Sequence, residues 1–201
     1  MRIRRDPPLH LTYCLNVHPG ETWAENFAAV REKALRVKAL VGRPGPFGLG
    51  LRLGGIAART LSAPAAIAEF RAFCDASELY VFTVNGFPYG RFHGTSVKEN
   101  VYRPDWRQPE RLAYTNQLTD ILAALLPEGV RGSISTLPGS YKAWIKTRAD
   151  VRTAAGNIAK RPSTPGMCGP GPEKKSRSRL SRSRTASSKA HRKPFPSSRV
   201  P

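Results

Sequence analysis

The sequence predicts an α/β fold: the first half of a (β/α)8 barrel, about four strand–helix units over residues 1–160, followed by a disordered basic tail over 161–201. Three observations predict it. Short apolar runs alternate four times with longer helical patterns, which implies parallel strands joined by helical crossovers. The second run alternates Leu49, Leu51 and Leu53 with Gly48, Gly50 and Arg52. Leucines turned to outer helices leave the glycines facing a lumen and Arg52 at its mouth. Beyond Arg161 the apolar periodicity stops, and Arg, Ser, Pro, Lys and Gly take over.

The first strand is expected over Leu9–Val17, where apolar, aromatic and β-branched residues are interleaved with polar ones. His18-Pro19-Gly20-Glu21 breaks it. Thr22 opens a helix, and Glu25 three residues on completes a capping box. Trp23, Phe27, Val30, Ala34, Val37 and Val41 then form one apolar stripe, which Gly42–Pro46 ends. The second unit is the strand Phe47–Leu53 and a helix starting at Ser62 and Pro64, with Ile67, Phe70 and Cys74 on one face. Leu79–Asn85, nearly all apolar, is a third strand covered on both faces. A third helix begins near Pro109 and carries Leu112, Leu118, Ile121, Leu122 and Leu125. The fourth strand spans Arg131–Leu137, and the fourth helix starts near Arg148 with Val151, Ala154, Ala155 and Ile158. A doubly wound sheet would want G-x-G-x-x-G after the first strand, and the His18–Glu21 turn lacks it. A closed barrel takes about eight units, so four make either a fragment or a chain that needs a partner to close.

Charge must be divided by position. The tail holds 11 Lys and Arg against one acid, leaving 22 against 13 in the body; these are net charges of +10 and +9. Such a tail buries too little apolar surface to offset its ordering entropy. It is either a genuine basic arm or the product of a shifted reading frame. The helix broken off at Arg161 favours the second origin. Three scattered cysteines, Cys14, Cys74 and Cys168, make no disulfide framework and point to a reducing cytoplasm. No window is long and apolar enough for a membrane span. The expectation is a soluble chain whose tail associates weakly and non-specifically with nucleic acid.

Chemistry in such a fold gathers beyond the carboxyl ends of the strands. The four strand ends deliver His18 and Glu21, then Arg52, then Asn85, then Ser135 and Thr136. The third connection, Gly86–Gln108, is too long for an ordinary loop and holds Phe87, Tyr89, His93, Lys98, Tyr102, Asp105 and Trp106. It reads as a lid or pocket wall, with Trp106 and Tyr89 serving packing. General acid–base candidates are His18, His93 and Lys98. Candidates for holding substrate are Glu21, Arg52, Asn85, Ser135 and Lys142, the last beside Ser140 after a Gly turn. Each has a bland alternative: a turn bond for His18 and Asn85, a mouth ion pair for Arg52, a solvated surface for His93 and Lys98. Cys14 reads as an inert core thiol. Glu21 is the only acid near a strand end, so no metal site is established.

Several long, ordered runs resemble the metabolite traffic protein EboE family of xylose isomerase-like TIM barrels. They are His10–Cys14, Asn16–Trp23, Phe47–Leu53, Thr83–Gly90, Phe92-His93-Gly94, Val97-Lys98-Glu99, Tyr102, Pro104-Asp105-Trp106 and Ser133–Ser140. The resemblance covers roughly Leu9–Lys160 and implies the N-terminal half of such a barrel. It implies sugar-phosphate isomerase or epimerase-like handling of a small polyhydroxylated metabolite, in a system tied to moving that metabolite towards the cell envelope. Other proteins of that system are the implied partners, and a divalent metal is the implied cofactor of the full-length family. Family members run to about twice this length and draw their acidic metal ligands largely from the second half. The chain as it stands is therefore expected to lack catalysis. A non-catalytic metabolite-binding protein and a nucleic-acid binder using the tail are the competing readings.

Overall fold

The computed structural model describes residues 1–91 and 98–160. An antiparallel ribbon, β1 (Arg2–Arg4) and β2 (Leu9–His10), opens the chain. The single strand expected over Leu9–Val17 is thereby corrected. Its first residues pair back with the N-terminus, where the Leu11 amide donates to the Met1 carbonyl at 2.8 Å. Only β3 (Thr12–Cys14) joins the main sheet, and Leu15–Val17 curls into a 3-10 turn that buries Leu15.

The main sheet has four parallel strands in the order β3, β4 (Phe47–Arg52), β5 (Leu79–Asn85) and β6 (Ser133–Ser135). Sequential parallel neighbours are what successive strand–helix units produce. β6 is shorter than the expected Arg131–Leu137 because pairing with β5 covers only three residues. β3 and β6 are the edges of the sheet among the described residues.

The expected capping box is present: the Thr22 side chain accepts from the Glu25 amide, and the Glu25 carboxylate accepts from the Thr22 amide. α1 (Trp23–Ala29) runs through a π-helical turn, Val30–Ala34, into α2 (Leu35–Val41), which ends on left-handed Gly42. The wider turn rotates α2 about its own axis relative to α1. Trp23, Phe27, Val30 and Ala34 are buried as the stripe requires, whereas Val41 is 41% exposed. A helix the pattern did not announce, α3 (Gly55–Leu61), follows β4 with no capping side chain. α4 (Pro64–Ala76), α5 (Pro109–Leu125) and α6 (Arg148–Ala159) start where the sequence places them, the last with a capping box between Thr147 and Asp150.

The two faces of the sheet differ as the parity of β4 predicts. Leu49, Leu51, Val81 and Val84 are at most 1% exposed and pack in one cluster with Phe27, Phe70, Leu118, Ile121 and Leu122 of the helices. Each such side chain contributes about 1.5–3 kcal/mol by leaving water. The opposite face is written in register rows: Thr12, Gly48 and Tyr80; Cys14, Gly50, Thr83 and Ser133; Arg52, Asn85 and Ser135. A bulge at Phe82 shifts β5 against β4 between the second row and the first. Cys14 is corrected here: it is half-buried on this polar face, its thiol donating to Asn16 Oδ1, and is not a core thiol. Cys74 is the core thiol, its pKa pushed up to about 12 by burial. No helix among the described residues is long and apolar enough to cross a membrane.

Candidate functional site

Register alone brings Arg52, Asn85 and Ser135 side by side, because they are partners at the carboxyl ends of β4, β5 and β6. Neighbouring parallel strands lie about 4.8 Å apart, so the three form one row of polar groups. The Ser135 hydroxyl donates to Asn85 Oδ1 at 2.7 Å. One step earlier in the sheet the Ser133 hydroxyl donates to Thr83 Oγ1 at 2.9 Å. Beyond β3, the loop before α1 adds Glu21, whose Oε1 lies 3.8 Å from Arg52 Nη1.

Arg52 is the unusual member. Its side chain is 1% exposed, and Nη2 donates to the Gly20 carbonyl. Nε and Nη1 are buried and have no hydrogen-bond partner. A buried donor left unmet costs about 1–3 kcal/mol, so such groups are rare and commonly mark a place where something else binds. Glu21, 23% exposed, offsets the cationic charge and leaves the row close to neutral. An amide, a hydroxyl, a guanidinium and a carboxylate together offer both donors and acceptors. That set fits the hydroxyls of a polyol better than it fits a bare anion.

The remaining sequence candidates lie elsewhere. His18 Nε2 bonds the Tyr13 hydroxyl at 2.7 Å, and Tyr13 registers with Leu49 on the parity opposite the polar row. Lys142 is exposed in a 3-10 turn, Lys142–Trp144. Ser140 is committed to Asp105, to which its hydroxyl donates at 2.6 Å. His93 lies outside the described residues, as does the Lys98 side chain; the Lys98 backbone opens the 3-10 turn Lys98–Tyr102. Trp106 is fully buried with its indole N–H on the Leu137 carbonyl, a packing role. The tail falls outside the described residues.

Two residues that sequence reasoning passed over hold the long third connection against the row. Arg111 is fully buried and donates to the carbonyls of Pro104, Gly86 and Phe87; burial holds its pKa below the ordinary arginine value. The Tyr114 hydroxyl donates to the carbonyls of Leu53 and Pro88, and burial raises its pKa against the opposing pull of Arg111 and Arg52. The signal was present: counting towards the N-terminus from Leu122 and Leu118 by helical spacing lands on Thr115 and Arg111, polar residues at core positions. A second clamp joins Asp105 and Arg107 at 2.7 Å, and Arg107 to Asp150 of α6 at 3.3 Å.

Two cavities among the described residues lie away from the row. One of about 640 Å3 sits at the amino ends of β4 and β5 between Arg2, His10, Arg43, Phe47 and Tyr80. Another of about 620 Å3 is lined by Arg103, Asp105, Arg107, Trp144 and Asp150. Both are open to solvent, and neither contains the buried unmet donors of Arg52. The described residues contain no group of three or more His, Cys, Asp or Glu able to hold a metal ion. Comparison with protein families, curated proteins and solved structures found no match to this chain.

Proposed function

We propose that this chain is a metabolite-handling protein of the EboE type, half of a xylose isomerase-like barrel. On this reading it binds a small polyhydroxylated metabolite across the carboxyl ends of its strands. The observation that carries the reading is the Arg52 guanidinium, buried with two unmet donors in the same row as Asn85 and Ser135. The four parallel strands in chain order support it, and so does the resemblance of the runs quoted above to that family.

In this reading Arg52 Nε and Nη1 donate to ligand oxygens, and Ser135 and Asn85 bind neighbouring hydroxyls. Glu21 accepts from a further hydroxyl while balancing the guanidinium. The divalent metal implied for the full-length family does not fit this donor set, whose single carboxylate is Glu21, and no step is derived through one. The described residues of the row account for binding and orientation. Isomerase or epimerase chemistry would need a base from elsewhere, with His93 and Lys98 the candidates. Partners are the metabolite and other proteins of the same traffic system; the proposed compartment is the cytoplasm, where Cys14 and Cys74 stay free.

Calorimetric titration with a panel of free pentoses, hexoses and cyclitols, and with their phosphates, tests the reading. At least one polyol should bind, and Arg52→Met should weaken it. Loss of a charged hydrogen bond is worth about 1.5–3 kcal/mol, or about ten- to 150-fold in Kd. Equal affinity in the variant would overturn the assignment of the row.

A further inference from the structure

We propose that Tyr89 is the gate of the Arg52 site: its backbone is fixed, and its ring swings out to admit a ligand. The proposal rests on the binding reading above and accounts for how a ligand reaches an arginine whose side chain is 1% exposed. Two elements meet beyond the carboxyl end of β4. The loop before α1 brings the Gly20 carbonyl and Glu21 to the guanidinium. The start of the third connection brings Pro88 and Tyr89 to the residues that follow Arg52. A Cβ at Gly54, the next residue of Arg52's parity, would meet the Tyr89 carbonyl at 3.3 Å and Glu21 Oε2 at 3.7 Å. Tyr89 and the carboxylate that pairs with Arg52 therefore share one side of this strand end.

The backbone of Tyr89 and its neighbours is tied down. The Gly55 amide donates to the Tyr89 carbonyl at 2.8 Å, and the Tyr114 hydroxyl bridges the Leu53 and Pro88 carbonyls. Arg111 holds the Gly86 and Phe87 carbonyls at 3.0 and 3.3 Å. The ring is held more lightly. It is half-buried, and a Cβ at Gly55 would stand 2.9 and 3.0 Å from its Cε2 and Cζ, so it rests in a notch that glycine leaves open. It also meets the Tyr114 ring edge-on, with centroids 5.0 Å apart. Such a pair corresponds to about a two- to twelvefold preference for the closed position. Rotation about χ1 carries the ring to solvent and breaks none of the backbone bonds just named. Tyr89 thus sets how often Arg52 can be reached, and the open fraction scales the apparent affinity of any ligand that binds there.

Phenylglyoxal, a small dicarbonyl that condenses with guanidinium groups, reads the gate when the labelled arginines of the full chain are mapped by mass spectrometry. In the wild type, exposed Arg59 should label quickly and Arg52 slowly. Tyr89→Ala should speed labelling of Arg52 at least about tenfold, whereas Tyr89→Phe, which keeps the ring, should leave it at the wild-type rate. Fully buried Arg111 reports folding. If Tyr89→Ala labels Arg111 as fast as Arg59, that variant has unfolded, and Gly55→Ala carries the test by pushing the intact ring out of its notch. Arg52 labelling that stays slow in the folded variant, or that is equally fast in Tyr89→Phe and Tyr89→Ala, would overturn the gate. Fast labelling in Tyr89→Ala that no polyol slows supports the gate and removes the polyol reading. Slow labelling there, with polyol binding still weakened by Arg52→Met, removes the gate and leaves that reading standing.

Discussion

Replacing Arg52 with methionine separates a residue kept for a ligand from one kept for the fold. Met fills the buried stem and removes the guanidinium. The losses are one charged hydrogen bond to the Gly20 carbonyl and the ion pair to Glu21 at 3.8 Å. The bond is worth about 1.5–3 kcal/mol. The pair adds at most about 1 kcal/mol, because Glu21 reaches solvent. On the other side, two buried donors with no partner, Nε and Nη1, cost about 1–3 kcal/mol each. Taken at their midpoints, these terms leave Arg52→Met about 1 kcal/mol more stable than wild type without ligand, as replacement of buried ionic groups by apolar ones often is. Glu21→Gln runs the other way: it removes only the ion pair with Arg52 and should cost at most about 1 kcal/mol. Urea unfolding followed by tryptophan fluorescence, with Trp23 and Trp106 buried in the folded state, measures both by linear extrapolation. A loss of more than about 2 kcal/mol in Arg52→Met would make the arginine a structural tie and remove the argument that its unmet donors await a ligand.

Tyr114→Phe leaves the buried Leu53 and Pro88 carbonyls without their shared donor. It should cost about 1–3 kcal/mol, read as a lower Tm; an unchanged Tm would mean the hydroxyl does not hold the third connection. The Asp150 pKa is lowered from 3.8 to about 2, chiefly by hydrogen bonds from the Thr147 backbone and side chain and the Lys146 backbone, with Arg107 adding to them. A carboxylate depressed in the folded state stabilises fully above its unfolded pKa, and that stability is lost as pH falls from about 4 towards 2. Asp150→Asn should flatten this acid limb in unfolding curves taken at stepped pH, and an identical limb would exclude the cap as its source. Truncation after Lys160 should abolish low-salt retention on nucleic acid. The full chain should lose affinity with a logarithmic slope of about 0.9 per phosphate neutralised, and retention by the truncated chain would assign the binding to the body.

The parts legible in the sequence are those governed by local rules. The Leu49–Leu51–Leu53 alternation encoded which face of β4 meets the helices, and Thr22 with Glu25 encoded the start of α1. What escaped depends on contacts far apart in the chain. The ribbon exists because Met1 pairs with Leu11, and His10 reaches the Tyr80 hydroxyl seventy residues away. Neither alters the local pattern, so a period-two reading ran Leu9–Val17 together as one strand. The π-helical turn in the first long helix likewise preserves the apolar spacing on paper while rotating Val41 to the surface. Within the site, Arg52, Asn85 and Ser135 were placed by counting to the ends of strands. The same count places His18, and the 3-10 turn after β3 lets its ring meet Tyr13 rather than join the row.

The chemistry of the row depends on how much of it is shielded from water. Neutral donors and acceptors discriminate poorly among polyols in bulk water, where each bond made to the ligand replaces one to solvent. They gain strength and selectivity when solvent is excluded. Ser133 and Ser135 face solvent, whereas Arg52 is buried, so the strength and selectivity of the row rest on its arginine end, where water is already excluded.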